Sequence, residues 1–251
     1  MHRFFIPPEW FSGNEVIFKD PVSHQINRVL RIRSGQHVIV LDNRGGEFEV
    51  ELIENGPSSK GKIIEKRDIP VEPGCKISLY LALTQREKFE WMLQKCTEVG
   101  AGIFIPIITS RSLVNSAQNK GKIGQGQKQE RWEHIVQEAA EQSGRGLIPQ
   151  VRLPTSYEDA LLAARSENDL VLIPYEGEAQ LRLADAIQGN ASKHKLFSIA
   201  LFIGPEGGFS DEEVKQARAG GGLTVTLGRR ILRMETAAVV ATAITLDTLG
   251  E

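Results

Sequence analysis

The sequence predicts an α/β protein in which a mostly parallel sheet follows a small β-rich unit. From Lys76 onward, short apolar runs alternate with stretches of helical periodicity, and this alternation favours a parallel sheet covered by helices on both faces. Before that point the chain shows alternating strands and turn residues instead. With 251 residues, the chain is long enough for one large domain or two modest ones.

The first part of the chain contains the signals of a β-rich unit. Gln36–Asp42 and Gly46–Ile53 flank an Asn-Arg-Gly turn and predict a hairpin. In the second of these strands apolar residues alternate with glutamates that are expected to face solvent. Lys60–Lys66 is a further candidate strand, and the breakers of Pro70–Gly74 mark a domain boundary. We therefore predict domains at 1–72 and 73–251.

The second part alternates strands with helices. Helical periodicity runs through Lys88–Val99, whose apolar face includes Cys96, and through Gln129–Ser143. The polar, Gly-rich segment Ser112–Lys128 contains no acidic residue and is predicted to be a mobile loop. The predicted strands are Ile77–Leu83, Ile103–Ile108, Leu170–Ile173, Phe197–Ile203 and Leu223–Leu227.

Composition excludes several classes of protein. Hydrophobic residues make up 41% of the chain, charged residues 25%, and the net charge is −2, which is typical of a globular protein without a general preference for nucleic acid. Cys75 and Cys96 do not have metal-ligand spacing, so no metal is expected. The chain start lacks an apolar signal core and no long apolar run predicts a membrane span, so we expect a cytoplasmic location.

Two Gly-containing segments, Leu201–Ser210 and Leu227–Ala237, each follow an apolar strand and lead into a helix. In the first, the Gly-Pro-Glu-Gly-Gly turn allows backbone groups close to a planar ligand. It lacks the lysine of a phosphate-binding loop and the spacing of the dinucleotide fingerprint. Ser210 and Glu213 instead form a capping box. A tight strand-to-helix turn without a ligand is the alternative interpretation.

The second segment carries the basic residues Arg229, Arg230 and Arg233. Arginines at a turn bind carboxylates, phosphates or electron-rich base edges. Alternatively, the first two belong to a solvated turn, and the third forms a salt bridge with Glu235 or Glu206. Because both segments end strands of one sheet, a shared ligand site is the interpretation we favour.

A local basic stretch lies in the β-rich unit, with no acidic residue between Val22 and Leu41. Such clustering fits contact with an RNA backbone, although lysines and arginines balance the acids over residues 1–70. The alternative is a solvated amphipathic helix that buries Ile26, Val29 and Leu30. The basic residues of the stretch are His24, Arg28, Arg31, Arg33 and His37.

Six segments together resemble the RsmE family of ribosomal RNA small-subunit methyltransferases, within the SPOUT superfamily. The resemblance extends over the whole chain in order. Its segments are His2–Phe5, Asn27–Arg31, Gln94–Gly100, Glu138–Arg145, Phe202–Ser210 and Leu227–Ala237.

The resemblance implies a fold and an activity that periodicity does not reveal. The N-terminal domain would be a PUA-like β-barrel that binds rRNA, and the C-terminal SPOUT domain would contain a deep trefoil knot. The enzyme would be a homodimer that uses S-adenosylmethionine to methylate N3 of a uridine near the 3′ end of 16S rRNA, within the small ribosomal subunit. This chemistry needs no metal.

The resemblance also implies roles for individual residues. Arg233, and Arg3 as a further candidate, would stabilise the charge that develops on uracil. Glu206 would orient the base or accept its proton. The predicted RNA contacts are Arg28, Arg31, Arg33 and Arg145. The predicted cofactor-binding residues are Leu172, Ile173, Pro174, Ile203, Gly204, Gly208, Leu227, Gly228, Ile231 and Leu232.

Two alternatives remain open at this stage. A related methyltransferase could act on a ribose 2′-hydroxyl or a tRNA base, but the strand end at Arg111 lacks the Asn that usually accompanies ribose chemistry. A non-catalytic RNA-binding protein of ribosome assembly would have a degenerate cofactor pocket, and the intact Gly-Pro-Glu-Gly-Gly turn argues against it.

Overall fold

In a computed structural model, residues 1–68, 72–112 and 125–251 are described. They form two compact units: residues 1–72 with 140–148, and residues 73–139 with 149–251. Each unit has its own sheet. No helix in these residues is both long and apolar enough to cross a membrane.

The first unit is built on a six-stranded sheet with the order β1-β4-β5-β6-β3-β2. Its larger apolar cluster includes Phe4, Phe18 and Ile26, each no more than 2% exposed, and a second, smaller cluster contains Phe5, Ile39 and Leu41. The strands are β1 (Arg3–Phe5), β2 (Phe11–Ser12), β3 (Glu15–Phe18), β4 (His37–Leu41), β5 (Gly46–Glu54) and β6 (Ser59–Asp68).

The predicted hairpin is confirmed, because β4 and β5 pair antiparallel with Val40 opposite Phe48. One detail of the alternation is wrong. Glu47 does not face solvent but is 9% exposed. Its carboxylate lies 3.3 Å from the guanidinium of Arg3. This ion pair compensates the buried charge of Glu47, which the alternation predicted to face solvent.

The basic stretch is only partly the amphipathic helix that the alternative interpretation requires. A helical turn, α1 (Val22–His24), continues as a π-helical turn over Gln25–Val29. Ile26 is fully buried, but Val29 is 63% exposed, so the predicted burial of Val29 is wrong. The wider π turn changes the angle between successive side chains, which a pattern with a period of 3.6 residues does not anticipate.

The second unit contains a parallel sheet, as predicted, but with seven strands and not five, because two short strands at 150–151 and 155–156 were not predicted. Six strands lie in the order β10-β8-β7-β12-β11-β13, and a short seventh, β9, pairs with β8. The strands are β7 (Lys76–Ala82), β8 (Ile103–Ile108), β9 (Gln150–Val151), β10 (Thr155–Ser156), β11 (Leu170–Pro174), β12 (Ser198–Ile203) and β13 (Leu223–Val225). The predicted trefoil knot stays a prediction.

Helices connect these strands. Two of them, α4 and α5, lie in a stretch where no helix was predicted, although Ser156 caps α4 by accepting from the amide of Asp159. The helices are α2 (Arg86–Val99), α3 (Gln125–Ser143), α4 (Tyr157–Glu167), α5 (Leu183–Ala191), α6 (Asp211–Ala219) and α7 (Met234–Leu249).

The predicted loop at Ser112–Lys128 needs correction at its end. Helix α3 begins at Gln125, four residues before the predicted start. The apolar spacing that predicts the helix starts only at Trp132, because the first turns of α3 are polar. The prediction of mobility for residues 113–124 lies outside the described residues.

Candidate active site

A pocket of about 390 Å³ lies at the carboxyl ends of the central strands of the second unit. Three loops line it: the ends of β11 and β12, and the segment between β13 and α7. Because β11 pairs with both β12 and β13 in parallel, these loops leave the sheet at the same edge. Ligands of open α/β sheets bind at this edge.

The loop after β12 is held by contacts from two directions. Arg111, which follows β8, donates from Nη1 to the carbonyl oxygen of Gly207 at 2.7 Å. At the other end, the predicted capping box is confirmed, since Ser210 and Glu213 exchange hydrogen bonds at the start of α6. Gly208 has a φ of +67°, which a residue with a Cβ rarely adopts. The loop is therefore held in one backbone conformation beside the pocket.

The segment between β13 and α7 brings the predicted basic cluster to the pocket. Gly228 has a φ of +122° and turns the chain after Leu227. Arg229, Arg230 and Arg233 all line the pocket and are exposed. The alternative salt bridge from Arg233 is wrong for the described residues, where no ion pair joins it to Glu235 or Glu206. Arg233 is thus a cation at the pocket without a fixed partner in this part of the chain.

Glu206 has a different partner, which the sequence did not suggest. Lys88 on α2 donates from Nζ to Glu206 Oε1 at 2.9 Å, and Thr84 donates to the same oxygen at 2.6 Å. Burial by itself would raise the pKa of Glu206, but these hydrogen bonds outweigh it and hold the pKa below its usual range. The same hydrogen bond has the opposite effect on Lys88 and raises its pKa. Both groups are therefore charged at neutral pH, and the lowered pKa makes Glu206 a weak base.

Most of the predicted cofactor residues line this pocket. The exceptions are Leu172 and Ile173, which are fully buried within β11 and lie behind the lining. Two of the three predicted catalytic residues, Arg233 and Glu206, lie in the same pocket. The cofactor residues that line it are Pro174, Ile203, Gly204, Gly208, Leu227, Gly228, Ile231 and Leu232.

Two predicted site arginines have structural partners in the first unit. Arg3 pairs with Glu47 and is not among the lining residues of the pocket. The side chain of Arg145 is 7% exposed and its Nη2 lies 2.6 Å from Glu72 Oε2. A guanidinium buried and paired in this way has little surface for a phosphate, so the predicted RNA contact at Arg145 does not agree with its position.

The three other predicted RNA contacts are accessible. Arg28, Arg31 and Arg33 are exposed on the helical turn and the loop that precedes β4. Ile32 between them is 8% exposed, which anchors the loop to the core. No ion pair to any of the three arginines occurs within the described residues, so their charges are available to a ligand.

Sequence reasoning missed three further charged groups of the pocket, Lys88, Glu176 and Glu235. Lys88 lies in the first turn of α2, directly after the carboxyl end of β7, and this position in a parallel sheet is the signal that could have identified it. Glu235 was considered only as a salt-bridge partner. No cluster of three or more potential metal-binding side chains occurs in residues 1–68, 72–112 and 125–251.

Two family models match separate stretches of the chain. Residues 71–246 match the RNA methyltransferase domain and residues 19–64 match the RNA methyltransferase PUA domain. The chain is 34% identical to ribosomal RNA small subunit methyltransferase E of Bacillus subtilis, over 96% of this chain and 94% of that one. It is 33% identical to the enzyme of the same name from Synechocystis, over 96% and 76%.

A solved structure is also similar to this chain over almost its whole length. The structure of ribosomal RNA small subunit methyltransferase E from Neisseria gonorrhoeae, which is bound to S-adenosyl methionine, has a TM-score of 0.82 and 30% identity. That match covers 97% of this chain and 95% of the other. With a PUA domain before a parallel-sheet RNA methyltransferase domain, the chain belongs to the ribosomal RNA small subunit methyltransferase E (RsmE) family.

Proposed function

We propose that this protein transfers a methyl group from S-adenosylmethionine to N3 of one uridine near the 3′ end of 16S rRNA, within the small ribosomal subunit. The observation that carries the proposal is the pocket at the ends of β11 and β12, where the Gly-Pro-Glu-Gly-Gly loop, which contains Glu206, meets Arg233. Membership of the RsmE family supports the reaction and the rRNA substrate.

The residues of the pocket fit S-adenosylmethionine in both charge and shape. Its lining contains the carboxylates Glu176 and Glu206, which suit a ligand with a sulfonium and an ammonium group. A Cβ on Gly204 would lie 3.2 Å from the ring of Phe209, so this position favours glycine. Backbone groups of the three loops would meet the adenine, and Leu227 and Leu232 would pack on its faces.

Bound there, S-adenosylmethionine supplies an electrophilic methyl group. The protein must hold the uracil edge in line with that group and stabilise the negative charge that spreads onto the uracil carbonyl oxygens as N3 loses its proton. Arg233 has the charge and the exposure for this role. The low pKa of Glu206 suits orientation of the base better than acceptance of its proton.

The RNA has to present an accessible base. Because N3 lies on the Watson–Crick edge, the uridine must be unpaired or flipped out to react. Arg28, Arg31 and Arg33 would hold the RNA backbone. We also propose a homodimer, as the resemblance to the RsmE family implies, in which a second subunit would cover Ile231, an apolar side chain at the pocket that is 84% exposed.

The experiment that tests the proposal is transfer of labelled methyl groups to small ribosomal subunits from cells that lack this modification, followed by mass analysis of the nucleosides. We expect one labelled N3-methyluridine in 16S rRNA. Label in a ribose or in another base would overturn the specificity. Absence of label together with absence of cofactor binding would favour the non-catalytic RNA-binding protein.

A further inference from the structure

The pocket contains one carboxylate oxygen whose hydrogen bonding is incomplete. Glu235 is the second residue of α7, and its Oε2 is buried without a hydrogen-bond partner among the described residues. A buried acceptor without a donor destabilises the protein unless a ligand supplies the donor. Since Glu235 lines the pocket, a ligand there can contact its carboxylate group.

Glu206, the other candidate acceptor, differs in this respect. Its Oε1 already accepts hydrogen bonds from Lys88 and Thr84. Acceptance of a proton by Glu206 would remove the charge that holds Lys88, whereas Glu235 would lose no hydrogen bond at Oε2. The two glutamates therefore suit different tasks, Glu206 that of a fixed anion and Glu235 that of a free acceptor.

We propose that Glu235 is the catalytic base, and that its carboxylate accepts the proton from N3 of the target uridine. This inference rests on the proposed function. The electron pair left on N3 forms the new bond to the methyl carbon. The pair of the broken carbon–sulfur bond returns to sulfur, which becomes a neutral thioether. The positive charge of the sulfonium and the negative charge of the carboxylate thus disappear together.

Two cations of the pocket, Lys88 and Arg233, can assist Glu235 in the proton transfer. Lys88 is close enough for Glu235 and Arg233 to contribute to its pKa in opposite directions. Lys88 and Arg233 can therefore stabilise the anion that forms as the proton leaves N3. The charged groups that line the pocket around Glu235 are Lys88 on α2, Glu176 after β11, Glu206 after β12, and Arg229, Arg230 and Arg233 before α7.

The test compares Glu235→Gln with Glu206→Gln in single-turnover methyl transfer to small ribosomal subunits, from neutral to mildly alkaline pH. We expect Glu235→Gln to lower the rate about 100- to 10,000-fold at neutral pH, the usual contribution of a general base. The defect should shrink as pH rises, because uracil then loses its N3 proton to solvent. The defect of Glu206→Gln should not change with pH.

Two measurements that need no turnover distinguish a catalytic base from a cofactor ligand and from a residue that stabilises the fold. By calorimetry, Glu235→Gln should bind S-adenosylmethionine as tightly as the wild type. The melting temperature of the free variant should equal or exceed that of the wild type, since no hydrogen bond to Oε2 is lost. Glu212→Gln is the matched control, because Glu212 is the exposed second residue of α6 and should change none of these properties.

Several outcomes would overturn the assignment. Weakened cofactor binding in Glu235→Gln would make Glu235 a cofactor ligand. A defect that alkaline pH does not reduce, with normal cofactor binding, would exclude proton transfer, and rescue of Glu206→Gln alone would make Glu206 the base. Failure of the proposed function itself is distinguishable, because wild-type protein would then form no N3-methyluridine at any pH.

Discussion

Arg145 in the first unit and Arg233 in the second are both arginines of family-like segments, yet their surroundings are opposite. The side chain of Arg145 is 7% exposed and forms a close ion pair with Glu72, which also accepts from the amides of Gly146 and Leu147. Arg233 is exposed at a pocket and has no ion pair within the described residues. A charged side chain whose ion-pair and hydrogen-bond partners are all present stabilises the fold, whereas a charged side chain without them is available to a ligand.

The same contrast separates the glutamates of these two regions. Glu72 accepts hydrogen bonds from one side chain and two backbone amides. The Oε2 of Glu235 accepts none. Substitutions that distinguish fold from function should therefore give opposite results in the two regions, with loss of stability in one and loss of activity in the other.

The largest effect is expected for Arg145→Ala. It leaves the charge of Glu72 without its ion-pair partner, which for a buried pair costs about 3–5 kcal/mol of the free energy of unfolding. Urea unfolding measures it. Arg152→Ala is the matched control, because its pair with Glu167 is 33% and 43% exposed, and exposed pairs contribute only about 0–1 kcal/mol. Equal destabilisation by both variants would contradict the structural role of Arg145.

A second prediction concerns the exposed arginines of the first unit. Replacement of Arg28, Arg31 and Arg33 with Ala should leave stability unchanged and weaken binding to small-subunit RNA. The slope of log Kd against the logarithm of salt concentration should decrease by about 2–3, roughly 0.7–0.9 for each phosphate that is no longer neutralised. A triple Ala variant at Lys193, Lys195 and Lys215, exposed lysines of the second unit, removes the same charge. An equal decrease in the two triple variants would show that total charge, and not this patch, binds RNA.

A third, smaller effect tests the conformation of the loop after β12. Gly208→Ala forces a side chain into a left-handed conformation, with its Cβ 3.1 Å from Glu176 Oε1, which costs about 1–2 kcal/mol. We expect affinity for S-adenosylmethionine to fall by roughly tenfold in calorimetry. Gly207→Ala is the control, since its Cβ would make only an ordinary 3.5 Å contact with Arg111. Unchanged affinity in Gly208→Ala would separate this loop from the cofactor.

Much of the fold follows from local patterns in the sequence. The parallel strands are continuous apolar runs, and the hairpin of the first unit has an alternating strand and a turn between its arms. Helices α4 and α5 were missed, although α4 begins with a Ser-x-x-Asp cap. The polar first turns of α3 have too little apolar spacing to predict a helix, so its start at Gln125 required the structure.

The candidate site was predictable where backbone chemistry defines it. Glycines and arginines at two strand ends indicate a shared pocket, and Arg233 and Glu206 do lie together. Partners distant in sequence were not predictable: Lys88 and Glu206 are 118 residues apart. Burial, which distinguishes Arg145 from Arg233, is likewise a property of tertiary packing that no local pattern contains.

The most direct test of the role of Arg233 is Arg233→Ala, measured as methyl transfer at saturating S-adenosylmethionine beside calorimetry of cofactor binding. We expect transfer to fall about 100- to 1,000-fold, the usual loss when one group that stabilises a developing anion is removed, while cofactor affinity and melting temperature stay at wild-type values. Equal losses of transfer and cofactor affinity would contradict this role, because Arg233 would then bind the cofactor and not the charge that develops on uracil.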